Sequence, residues 1–305
     1  MMPLTVVVVP PFRLDFTVWA LRRREKNIVD QWDGIRYTRV LVYGNDTIKM
    51  TATQGGADKN PQVIITLDSK ADLKPEMEQD IKLLVQKVLG LNVNLQQFYT
   101  RAESSEVSAP LVKHFLGVKP PRFPSLFEAL INAIACQQVS LDAAIQILNR
   151  FSERFGMQFD DGKTISYGFP RPEDLLSFSE EDIKAVGFSR QKACSIKALA
   201  IGVQKHSIDF SCIDRMTNEE IADYLSTIRG IGRWSIEYVL LRGLGRLDIF
   251  PGDDIGAQNN LQRLFHLEKK PDYEQIKRLT SQWRPYQGLV YFHLLLDRLH
   301  AKGVI

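Results

Sequence analysis

The chain has little cysteine and little histidine. Three cysteines in 305 residues, Cys136, Cys194 and Cys212, lie far apart and form no Cys-x-x-Cys pair. That spacing excludes a disulfide framework and an iron–sulfur cluster, and it points to a reducing, intracellular setting. The five histidines form no ligand-spaced group, which excludes a histidine metal centre. No run approaches the roughly 18 apolar residues of a membrane span. The apolar "PLTVVVVPPF" has no basic flank and no small-residue cleavage site, so it reads as a strand stopped by Pro10 and Pro11 rather than a signal peptide. An excess of one charge is also missing. Net charge is +3, with 13 Lys/Arg against 11 Asp/Glu in residues 1–100 and 26 against 25 in the remainder. This balance permits nucleic acid without demanding it. The basic cluster "LRRREKN" (21–27) offers phosphate contacts but reads first as a solvated face.

What is present is 44% hydrophobic and 25% charged residues, enough for two domains and a sizeable core. Up to about residue 70 the β-branched runs "TVVVVP", "RYTRVLVYG" and "QVIITLD" read as strands. "GNDT" (44–47) reads as a hairpin turn and "TQGGADKNP" (53–61) as a polar loop. At 74–90 the spacing turns helical, with Ile81, Leu84, Val85, Val88 and Leu89 on one face and Gly90 as the stop. This half is α+β. From about residue 93 strands largely disappear. A capping box, Ser125 with Glu128, opens "SLFEALINAIACQQ". Ser140 caps the helix that stops at Gly156. A helix, a turn at Gly187 and a second helix follow, and the plan repeats with Thr217 and Glu220 as another box. Pro285 separates the last two helices.

The segment "RGIGRWSIEYVLLRGLGRLDIFPGDD" (229–254) carries the chemistry. Gly230 and Gly232 permit positive φ and leave amides exposed at the start of the next helix, where the dipole favours an anion. The bland reading is a tight helix–helix turn. Asp254 stands directly before a new helix as an N-cap. A carboxylate held anionic there can also stabilise an oxocarbenium ion or activate water. Trp234 and Tyr238, one turn apart, can line one wall of a pocket or simply pack in the core. A cation stacked on such a wall gains roughly 0.5–2 kcal/mol. His293 lies among apolar residues and reads as a core histidine.

On these residues the chain resembles the helix-hairpin-helix DNA glycosylase superfamily. "IRGIGRWSIEYVLLRGLG…FPGDDIG", "FEALINAIACQQVSLDAAIQIL" and "WRPYQGLVYFHLLL" are similar to three of its segments, in order. "PPFRLDFTV" before an α+β domain is similar to its alkylbase (3-methyladenine II) branch. The resemblance implies a TBP-like antiparallel sheet with helices (1–92), then an all-α glycosylase domain (93–305) of two helical subdomains with a cleft between them. It implies a monofunctional glycosylase acting on double-stranded DNA with a damaged base, of the 3-methyladenine or 7-methylguanine type. Asp254 is the implied catalytic residue. Trp234, Tyr238, Ile255, Leu295 and Asp253 form the implied pocket. Gly230, Ile231, Gly232, Arg233, Gln137, Gln138 and Ser140 are the implied DNA contacts, with Gln138 filling the gap left by the extruded base. The carbonyls of Ser226, Ile228 and Ile231 are the implied ligands of a structural Na+ or K+. No cofactor is required, no membrane is engaged, and a cytoplasmic or nucleoid monomer is implied.

Bifunctional relatives carry a lysine where this chain has Trp234. Arg233 cannot replace it, since a guanidinium stays protonated, so no lyase activity is expected. Ile255 and Leu295 stand in place of aromatics, Gln287 in place of an arginine, and Ile236 in place of an alanine, which implies a thinner stacking pocket. Three other readings stay open: a glycosylase for oxidised or deaminated bases, a non-catalytic hairpin DNA-binding module, and an α-helical interaction protein.

Overall fold

A computed structural model describes residues 3–305. Strand β1 (Leu4–Val7) is followed by helix α1 (Leu14–Arg22) and strands β2 (Gln31–Trp32), β3 (Arg36–Tyr43), β4 (Asp46–Ala57) and β5 (Asn60–Ser69). They form one antiparallel sheet in the order β1-β5-β4-β3-β2. The turn at 44–47 is as expected: Tyr43 pairs with Asp46. The loop read at 53–61 is instead ladder. Thr53 pairs with Ile64, and pairing runs out to Ala57 with Asn60, leaving a two-residue turn. The polar residues there misled because ladder bonds use only the backbone. Gly56 is a strand glycine at φ +77°, where a Cβ would lie 2.3 Å from the Asn60 carbonyl oxygen.

Helix α1 falls where only strands were read. Its Leu14, Val18 and Leu21 join α2 (Pro75–Val88), through Ile81, Val85 and Val88, in the core against the sheet. Its opposite face, Trp19 and Ala20, enters a different core. Arg23 ends α1 in the left-handed region at φ 61°.

The rest is mainly helical: α3 (Gln96–Glu103), α4 (Ala109–His114), α5 (Leu126–Cys136) and α6 (Leu141–Phe155) come first. A small hairpin, β6 (Gln158–Asp160) and β7 (Ile165–Tyr167), interrupts what was read as all-α. It rests on the sheet through Lys49 and Asp161 at 2.7 Å. Then come α7 (Glu180–Ala185), α8 (Arg190–Gln204), α9 (Asn218–Ser226), α10 (Arg233–Val239), α11 (Ile255–Leu264), α12 (Tyr273–Thr280) and α13 (Gln287–His300). A π-helical turn, Leu240–Leu244, extends α10. Two cores result. One gathers α5 to α10; the other gathers α3, α4, α11 and α13 with the outer face of α1.

The box at Ser125 is half formed. Its hydroxyl accepts from the Glu128 amide at 3.1 Å, but the Glu128 carboxylate turns to Arg39 at 2.5 Å. Arg39 also holds Asp30 at 2.7 Å, and Tyr37 donates to that same carboxylate at 2.8 Å. All four are buried, so this ionic group joins the sheet to α5 in the interior. Removing Arg39 there leaves two carboxylates uncompensated, at a cost of about 3–5 kcal/mol.

Candidate functional site

The hairpin is α9, a turn, and α10. Thr217 and Glu220 form both bonds of the capping box that starts α9. Gly230 takes φ +84°, and a Cβ there would meet Ser195 Oγ at 2.6 Å. Gly232 does not use the left-handed region. It is extended, at φ −112° and ψ −179°, and a Cβ on it would meet nothing within 4 Å. Its exposed position caps α10 with no side chain, so the first amides of α10 face outward.

The "QQVS" loop lies beside this turn. Gln137 is not turned to solvent: its Nε2 donates to the Gly230 carbonyl at 2.8 Å and to Ser235 Oγ at 2.9 Å. Lys192 holds the same loop by donating to the carbonyls of Ala135 and Gln137 at 3.0 and 2.6 Å. Ser140 caps α6. Two residues assigned to DNA therefore have intramolecular partners. Gln138 differs. It stands exposed at the tip with φ 54°, beside exposed Val139. A non-glycine residue in that region is held there by its surroundings.

Between the two helical lobes opens a cleft of about 1160 Å³. Trp234 and Tyr238 supply one wall, stacked on each other with ring centroids 5.2 Å apart. Asp254, at the start of α11, faces the cleft from the other lobe. Its Oδ1 accepts from the Ala257 amide at 2.8 Å, which is the N-cap. Its Oδ2 accepts from Trp234 Nε1 at 3.3 Å and Tyr291 Oη at 3.4 Å. The cap and the cleft-facing oxygen thus belong to one half-buried carboxylate. Asp253 also lines the cleft, but its carboxylate is taken by Arg233 in a two-point bond of 2.7 and 3.0 Å. Arg233 also lies 3.9 Å from the Tyr273 ring centroid, so it braces the 250–254 loop while its side chain stays 59% exposed. Glu237 completes that brace, accepting from the Gly252 amide at 2.9 Å and Tyr273 Oη at 2.5 Å. Burial raises the Glu237 carboxyl above its usual range.

Ile255 and Leu295 border the cleft as expected, with Ile255 exposed. The pocket is not correspondingly thin, because Tyr291 lines it as well. Sequence reading missed this residue, although it stands one helical turn before Leu295 on the same face. Burial holds its hydroxyl well above the ordinary phenol range, so it stays a proton donor. Gln287 and Ile236 are buried and do not line the cleft.

The cluster at 21–27 is neither a solvated face nor a phosphate contact in its central part. Arg22 and Arg23 are both buried. Arg23 Nη1 donates to the Tyr238 hydroxyl and Nη2 to Asn132 Oδ1, each at 2.6 Å. Arg242, wholly buried, donates to the carbonyls of Ala20 and Leu21 at 2.8 and 3.0 Å, at the negative end of α1. Its guanidinium carbon is 5.6 Å from the Tyr238 ring centroid. The aromatic wall expected to welcome a cation already has two cations against it. Arg24 reaches the rim and pairs with Asp142 at 2.9 Å.

Among the described residues no group of three or more His, Cys, Asp or Glu side chains is placed to hold a metal. No helix is long and apolar enough to cross a membrane. His293 is buried, its Nδ1 2.8 Å from the Leu289 carbonyl, and burial pushes its pKa down to about 4.

A glycine-bearing turn between α9 and α10, a loop with Gln138 exposed beside it and a carboxylate across an open cleft define a helix-hairpin-helix protein. More particularly, the chain belongs to the HhH-GPD superfamily of base excision DNA repair proteins, whose family model matches residues 131–285. An alkylbase DNA glycosidase-like protein, mag2, of Schizosaccharomyces pombe is 34% identical over 58% of this chain and 80% of its own length. The solved 3-methyladenine DNA-glycosylase of Archaeoglobus fulgidus superposes over 97% of this chain and 98% of its own, with a TM-score of 0.84 at 22% identity. A 3-methyladenine DNA glycosylase of S. pombe, Mag1, solved in complex with abasic DNA, matches 66% of this chain and 95% of its own, with a TM-score of 0.57 at 29% identity.

Proposed function

We propose that the chain is a monofunctional DNA glycosylase of base excision repair, which hydrolyses the N-glycosidic bond of an extruded, alkylation-damaged base. The observation that carries the reading is the carboxylate of Asp254. It faces the cleft and is anchored by the Ala257 amide on one oxygen and two side-chain donors on the other. Fixed in this way, it supports a developing oxocarbenium ion and orients water toward C1′ with no reorganisation during the reaction. The relatives' names, 3-methyladenine and alkylbase glycosylases, favour alkylated bases as the substrate class.

In this reading the amides at 230–232 hold the backbone of the damaged strand, Gln138 enters the vacated stack, and the Trp234–Tyr238 wall with Tyr291 receives the base. Gln137 and Arg233 act as positioning residues. The hairpin carbonyls fit a monovalent cation: among the described residues those of Ser226 and Ile231 accept no hydrogen bond, and that of Ile228 accepts one, from the Ile231 amide. Such an ion would add positive charge behind the phosphate-facing amides. DNA is the partner, and the chain acts as a monomer.

Trp234 stands where a Schiff-base lysine would be, and Lys302, which does border the cleft, is exposed at its rim. Borohydride should therefore trap no covalent protein–DNA adduct; a trapped adduct refutes the monofunctional assignment. The central test is single-turnover excision on duplexes each holding one lesion, with 3-methyladenine, 7-methylguanine and hypoxanthine as the panel, comparing the native protein with Asp254→Asn. Excision that is unchanged in the variant overturns the catalytic reading.

A further inference from the structure

We propose that Arg23 sets the charge preference of the base site, turning it away from cationic ring-alkylated bases and toward neutral bases with an acceptor edge. The inference rests on the glycosylase reading of the same cleft and departs from its alkylated-base preference, which only the relatives' names carry. Arg23 lines that cleft while only 4% exposed. Helix α1 delivers it there by ending in a left-handed residue, which swings the side chain away from the solvent face of the helix.

The partners of Arg23 are neutral: the Tyr238 hydroxyl, Asn132 and, at 3.6 Å, Cys136 Sγ. Its Nε has no partner among the described residues. Asp30 and Glu128 share the single charge of Arg39, so one surplus carboxylate charge stands behind Arg23 against the two guanidiniums of the wall. Arg242 adds a second guanidinium against the Tyr238 ring with only carbonyl acceptors of its own. Asp254 is the carboxylate that faces these aromatics, and it stands on the opposite lobe. The inner wall is therefore electropositive, and a cation stacked on Tyr238 would meet like charges across a desolvated ring.

The same geometry supplies donors. Arginine cannot accept, so the Tyr238 oxygen accepts from Arg23 and its own proton is unspent among the described hydrogen bonds. Tyr238 O–H and Arg23 Nε–H are thus unspent but covered, and a carbonyl or ring nitrogen of the base meets them only where the wall opens to admit it. A neutral 6-oxopurine offers such an edge without a charge.

Hypoxanthine and 7-methylguanine make a matched test, because both carry a 6-oxo group and one of them is cationic in DNA. A cationic base leaves more readily by its own chemistry, so the readout is the change in the hypoxanthine-to-7-methylguanine excision ratio on mutation. Arg23→Met should lower that ratio at least tenfold, while Arg23→Lys, which keeps the charge, should leave it within threefold. Tyr238→Phe should slow both lesions together. If Arg23→Met slows both lesions equally, Arg23 is a packing residue and the proposal is overturned.

A second measurement needs no variant. Binding of 9-methylhypoxanthine and of 7,9-dimethylguaninium to the native protein, read by fluorescence quenching at a mildly acidic pH where the latter keeps its N1 proton and its charge, should favour the neutral base at least tenfold. Equal or tighter binding of the cation overturns the proposal. Failure of the glycosylase reading shows differently: the native protein then excises neither lesion, or Asp254→Asn excises both as well as the native protein does.

Discussion

Asp254→Asn removes one charge and almost nothing else. Asparagine caps a helix as well as aspartate does, so the bond from the Ala257 amide survives. The variant forgoes an anion at the start of α11, worth roughly 0.3–1 kcal/mol. Its amide nitrogen would also face Trp234 Nε1, another donor, at a position now 3.3 Å from an acceptor oxygen. Together these are worth on the order of 1–2 kcal/mol of stability, a fall in Tm of only several degrees for a chain of this size. The chemical loss is larger. A unit negative charge about 4 Å from a developing cation contributes about 4 kcal/mol at an effective dielectric constant near 20. That corresponds to about a thousandfold in rate. The assay is single-turnover release of a base from a one-lesion duplex, run beside a binding titration on the same duplex. Excision should fall about a thousandfold with affinity within threefold. A variant that keeps more than a tenth of native activity refutes the reasoning, as does one that loses binding in parallel.

Other perturbations separate the roles of neighbouring residues. Gly232→Leu should leave Tm unchanged, because a side chain there meets open space, yet weaken duplex binding at least tenfold and flatten its salt dependence; Gly230→Ala, strained at positive φ against Ser195, should lower Tm instead. Arg39→Met strands the buried carboxylates of Asp30 and Glu128 without a counter-charge and should cost about 3–5 kcal/mol in urea unfolding, with no change in m-value. His293 is favoured neutral in the fold, with its pKa lowered from 6.5 to about 4, so the unfolded chain takes the proton first as pH falls. The His293 contribution is intact above about pH 6.5 and is lost as pH drops toward 4, amounting to about 2 kcal/mol by pH 5. Urea midpoints at pH 7 and 5 should show this difference in the native protein and much less of it in His293→Gln.

Periodicity and capping made most elements legible. Apolar spacing placed α2, and Ser140, Thr217 and Gly187 bounded helices because their chemistry is local. What failed was decided at a distance. Residues 53–57 stay in the ladder because Ile64 to Asn60 pair with them, which no local signal records. Helix α1 was hidden because its two faces serve two different cores. At the site, Asp254 and the two hairpin glycines were legible from spacing, whereas the partners that Gln137 and Arg233 hold lie 93 and 20 residues away. Tyr291 and Arg23 were missed for the same reason. Each belongs to a segment with an ordinary reading of its own, an apolar helix and a basic surface run, and only the packing of α1 and α13 gives them another.

The route of α1 has a consequence for assembly. This helix is synthesised early, yet one of its faces waits for α13, which begins about 265 residues later, and its last carbonyls wait for Arg242. Until those segments emerge, Trp19 and Ala20 have only the α3 and α4 part of their core for cover, and Arg23 has no phenol to hold. A nascent chain can close its sheet on the ribosome, but it cannot present a finished recess to a nucleotide. Competence for the reaction arrives all at once, with the return of the chain to its own beginning.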